Sequence, residues 1–91
     1  MKFDVSHVQE PVGYRVNVRI TAEAAEDLDF VVVKHNASTL LTVPLEGPGH
    51  TSFSASIPAG GISPGLHTVV VTCRLMGGRE LMHTHVWSDQ A

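Results

Sequence analysis

The chain is poor in the residues that mark several common protein classes. Its 91 residues include one cysteine, one tryptophan, one tyrosine and three phenylalanines. A single cysteine excludes an internal disulfide. Cys73 lies in an apolar run, which predicts a buried free thiol. Charged residues are only 16% of the chain and sum to −3 at pH 7. That leaves no basic stripe for phosphate, so nucleic acid is not an expected partner. No apolar run is long enough to span a bilayer, so no membrane partner is expected either. Met1-Lys2-Phe3 runs straight into Asp4, Ser6 and His7, which offers no secretory apolar core, and the compartment stays open. Helix is scarce as well. Only AEAAED at 22–27 has helix-forming composition, and six residues do not repay helix nucleation. The acidic residues Glu23, Glu26, Asp27 and Asp29 fall in the same stretch and read as one solvated loop.

What is present is extended structure. The hydrophobic fraction of 43% suits a globular fold. A chain of this length makes one domain over 1–91, burying roughly 60–65% of its unfolded surface. Residues 13–21, GYRVNVRIT, alternate strictly, with Tyr14, Val16, Val18 and Ile20 on the dry face and Arg15, Asn17 and Arg19 on the wet one. Weaker alternation over 3–8 and 50–57 predicts two further strands. LDFVVVKH at 28–35 is a strand that turns at Asn36-Ala37 into a shorter one at 38–43, because Asn tolerates the left-handed backbone of a tight turn. Pro/Gly-rich loops at 44–49 and 58–65 bracket the fifth strand. The last two strands, 66–76 and 79–88, are joined by Gly77-Gly78. Seven short strands with turns between them predict an all-β sandwich.

The run Ile62-Ser63-Pro64-Gly65-Leu66-His67-Thr68-Val69-Val70-Val71 resembles the E–F corner of immunoglobulin-like and fibronectin type III-like modules found in bacterial and phage multidomain proteins. Those corners often read hydrophobic-x-Pro-Gly-x-Tyr-x-Val-x-Val, with the tyrosine closing the corner by a side-chain hydrogen bond. His67 stands at the tyrosine position, where an imidazole N–H can make a similar bond. The resemblance implies a seven-stranded antiparallel immunoglobulin-like β-sandwich serving as a spacer, adhesive unit or accessory domain. It implies no activity. The paired cysteines and core tryptophan of antibody domains are absent in that arrangement, since Trp87 lies on the last strand.

No catalytic signature accompanies the fold. Cys73 is mid-strand, without the turn or helix terminus that activates a thiolate. The glycines at 60–61 and 77–78 precede no helix, so they are turn glycines and not a phosphate cradle. His83-Thr84-His85 places two imidazoles on one strand face. A metal would need a third ligand, and His35 would stand two strand spacings away, on the order of 10 Å. No metal, cofactor or catalytic residue is therefore assigned, and the expectation is a non-enzyme.

The outer face of one sheet is the candidate binding surface. If Phe30, Val32, Val69, Val71, Cys73 and Leu75 fill the core, Val31, Val33 and His35 point outward with Val70, Thr72 and Arg74. If Met82, Thr84 and Val86 point inward, Leu81, His83, His85 and Trp87 join that outer face. A strand register shifted by one residue would reverse the last strand. The expected site is thus Val31, Val33, Val70, Thr72, Arg74, Leu81, His83, His85 and Trp87. Contiguous apolar surface of this kind marks an interface. The expected partner is another protein domain or a second copy of the chain. A glycan stacked on Trp87 is the alternative, and a small metal-dependent sandwich enzyme is a third.

Overall fold

The structure, a computed structural model, describes residues 1–22, 27–45, 49–59 and 65–89. The helix-forming segment at 23–26, the loop residues 46–48 and the corner residues 60–64, Ile62 to Pro64 of the motif included, lie outside the described residues.

All seven expected strands form: β1 (Lys2–Gln9), β2 (Tyr14–Thr21), β3 (Leu28–His35), β4 (Ser38–Pro44), β5 (Ser52–Ala59), β6 (Gly65–Leu75) and β7 (Glu80–Asp89). They build two antiparallel sheets, β1-β2-β5 and β4-β3-β6-β7. Alternation dictates the packing. Tyr14, Val16, Val18 and Ile20 of β2 are buried against Val69, Val71, Cys73 and Leu75 of β6, while Arg15, Asn17 and Arg19 point to water. The result is an all-β, two-layer sandwich whose strand order is compatible with an immunoglobulin-like fold.

Asn36 and Ala37 both take positive φ, 47° and 71°, in the two-residue turn between β3 and β4. This is the left-handed pair a tight hairpin demands. The turn is tied to β6. Thr68 N–H donates to Asn36 Oδ1 at 2.9 Å, and Asn36 N–H donates to the Thr68 carbonyl at 2.9 Å.

Two strands face opposite to expectation. On β3 the core residues are Val31 and Val33, each 0% exposed, with His35 buried beside them. Phe30 and Val32 stand on the outer side with Lys34. The register breaks between Leu28 and Phe30, so Asp29 is an extra residue. Leu28 and Val31 are three apart yet both buried, which a strict two-residue period forbids and a bulge permits.

On β7 the inward row is Leu81, His83, His85 and Trp87, and Met82, Thr84 and Val86 point out. The cause is the turn. A two-residue Gly77-Gly78 loop would pair Met76 with Arg79. The loop instead holds Met76, Gly77 and Gly78. Leu75 N–H donates to the Arg79 carbonyl at 2.8 Å, and Gly78 N–H to the Leu75 carbonyl at 2.8 Å. Cys73 therefore pairs with Leu81, and paired residues share a face. One residue of register carries the entire strand over.

Candidate functional site

The outer face of the four-stranded sheet does carry exposed apolar side chains among threonines and a lysine, with a different membership from that expected. Three of the expected residues, Val70, Thr72 and Arg74 on β6, do lie on it. The expected Val31 and Val33 are core residues and take no part. Leu81, His83, His85 and Trp87 lie between the sheets and take no part either. In their place stand Phe30 and Val32 on β3 and Met82, Thr84 and Val86 on β7.

Pairing sets them in rows across the sheet. Val32, Thr72 and Met82 form one row, and Lys34, Val70 and Thr84 the next. Thr68 and Val86 follow, then Leu66 and Ser88. Met82 is 68% exposed, Leu66 67% and Val86 51%. At the other end Arg74 pairs with Asp29 at 3.1 Å and lies over the Phe30 ring, 5.3 Å from its centroid. Arg74 thus caps the rows at that end, while Lys34 stands within one of them.

Sequence periodicity missed Phe30, Val32, Met82 and Val86 because β3 is apolar at both parities, and β7 alternates two sets that are both part apolar. Bulk offered the usable signal: Leu81 and Trp87 are larger than Met82 and Val86 as core fillers, and indole burial is the more favourable.

The opposite outer face is polar. Asp4, Ser6, Asn17, Arg19, Ser54 and Ser56 line an open trough of 490 Å³ on the sheet β1-β2-β5. Small serines on β5 beside longer side chains on β2 make the depression.

Four of the six histidines, His7, His35, His67 and His85, assemble between the sheets at one end. His35 Nε2 and His67 Nδ1 lie 2.9 Å apart, and His7 Nδ1 and His85 Nε2 also 2.9 Å. In each pair one ring's N–H donates to the other ring's bare nitrogen. The indole of Trp87 lies parallel to His7 at 4.1 Å between centroids, and parallel to His67 at 5.0 Å and His35 at 5.7 Å. Tyr14 packs edge-on to Trp87 and tilted to His67. Burial, followed by His85 and His67, holds the His7 pKa below its ordinary value. Burial and His67 do the same for His35. His83 stacks on Phe3 instead, with centroids 5.6 Å apart. Thus His35, His83 and His85 turn to three different neighbours. Among the described residues no group of three or more His, Cys, Asp or Glu side chains is placed to hold a metal. Burial also raises the Cys73 thiol pKa, which keeps it protonated and a poor nucleophile.

Comparison with protein-family models, with curated proteins and with solved structures finds no match to this chain.

Proposed function

We propose that this domain is a non-catalytic interaction or assembly module that docks through the outer face of β4-β3-β6-β7. The observation that carries the reading is the contrast between the two outer faces. One has Arg15, Asn17, Arg19 and serines, as a solvated sheet should. The other has Met82, Val86 and Leu66 at 51–68% exposure, continuous with Phe30, Val32 and Val70. Apolar side chains on three adjacent strands suit a flat, largely apolar partner, either a neighbouring domain or a second copy. The strand order, with the fourth strand on the sheet of the third, sixth and seventh, supports a fibronectin type III-like accessory domain as the finer assignment.

The test is mass against concentration by light scattering, with two lysine substitutions. Val70→Lys should return an associated sample to the monomer mass with little change in melting temperature. Val33→Lys should instead lose at least about 3 kcal/mol of stability, because it strands a charge in the core. A wild-type chain that is monomeric at all concentrations and pulls down no apolar partner domain would overturn the reading.

The trough on the other sheet favours a second reading, a glycan-binding accessory module. Asp4, Asn17 and Arg19 would supply the hydrogen bonds, and the sugar would find no indole there, since Trp87 is interior. Glycan-array binding lost in Asn17→Ala and kept in Trp87→Phe would support it.

A further inference from the structure

The histidine cluster is not used by the docking face, and its construction has a consequence for pH. Its outer pair joins the two sheets: His7 is on β1, an edge strand of one, and His85 is on β7, an edge strand of the other. Its inner pair, His35 and His67, joins β3 to β6. Trp87 lies against both pairs, so the end of β7 is held by the one imidazole–imidazole hydrogen bond from His85 to His7 and by the stack of Trp87 on the rings.

An imidazole pair bridged by one N–H has a fixed capacity for protons. The donor ring's far nitrogen is bare and takes a first proton with the bridge intact. A second proton must go to the bridging acceptor, which sets two N–H groups against each other at 2.9 Å and breaks the bond. Even the first puts a cation in an apolar layer. Few described titratable groups face it. β2 contributes Tyr14, β7 contributes His83 against Phe3, and β6 contributes Cys73 farther along its inner row. The inward residues of β4 and β5 next to it, such as Leu41 and Ala59, do not titrate. Among the described inward side chains there is no carboxylate, lysine or arginine. The charged groups at this end, Arg15 and Glu10, are paired with each other at 3.2 Å on the solvent side. Trp87 Nε1 is buried with no hydrogen-bond partner, so the indole gains nothing polar by staying once the imidazoles separate.

We propose that the seam between the edge strands β1 and β7 is a proton-operated latch, closed by the His7–His85 bond and the stacking of Trp87 on His7, and opened by protonation of that pair, which frees the C-terminal half of β7. The direction follows from linkage. His7 and His35 have folded-state pKa values lowered from 6.5, so the unfolded or opened chain binds more protons below that value. The contribution to stability is full above about pH 6.5. It declines as pH falls from there until the folded pairs also protonate, at up to about tenfold in the opening equilibrium per pH unit for each histidine.

Hydrogen exchange on the whole chain, corrected for intrinsic rates, tests this at about pH 7.5 and about pH 5.5. Amides of residues 84–88 should lose protection at least about tenfold more than those of β2 and β3 on acidification. Replacing the cross-sheet pair with apolar side chains, His7→Phe with His85→Leu, should remove most of that difference. Imidazole ¹⁵N spectra of the wild type provide a readout that needs no variant. At neutral pH each pair should show one bridging N–H. Equal loss of protection in all strands, or a His7 ring that titrates as in an unfolded peptide, would overturn the latch.

Discussion

Cys73 shows how one side chain reports the facing of a strand. It is fully buried on β6, between Val71 and Leu75 of the same inner row, and burial pushes its thiol pKa up. Both the low access and the missing thiolate slow alkylation. A thiol reagent in native buffer at neutral pH should label Cys73 slowly, at the rate at which the chain opens, and rapidly in denaturant. Fast native labelling would mean that β6 faces the other way, with Val70 and Thr72 in the core. His67 makes the parallel point about a resemblance. It occupies the tyrosine position of the corner motif, it is 2% exposed, and it bonds to a side chain, His35. The position was legible in the sequence as structural. The partner was not, because His35 reaches the interior only through the bulge at Asp29.

At the scale of the element, existence was legible and phase was not. Seven strands follow from alternation and turn residues, and each forms within about two residues of its expected ends. Facing depends on parity, and parity is set by features that cost one residue each. A bulge supplies it in β3 and a three-residue loop in β6–β7. The loop makes a prediction that distinguishes it from a two-residue turn. A two-residue turn of the favoured kind needs positive φ at both glycines. Here Gly78 has φ of 92° and Gly77 does not have positive φ. Neither has a heavy atom within 4 Å of where a Cβ would sit, so only the backbone decides. Gly78→Ala should therefore cost about 1 kcal/mol, while Gly77→Ala should be neutral or slightly stabilising. Urea midpoints measure both. Equal losses in the two variants would indicate the two-residue turn, and with it an outward Trp87.

For the whole molecule, the two outer faces imply different responses to salt. The polar face has little reason to leave water. The apolar face has two cations: Arg74 is already paired with Asp29 and laid over Phe30, and Lys34 sits in a separate row from Glu80. Association driven by such a face gains from removal of apolar area, which is non-directional and insensitive to screening. Sulfate, which is excluded from protein surface, strengthens that burial. The weight-average mass measured at fixed concentration should hold or rise as sodium sulfate is added at neutral pH. A fall in mass with added salt would show that ionic contacts hold the assembly, and would point to the Asp4, Arg19 and Arg15 side of the sandwich as the surface in contact.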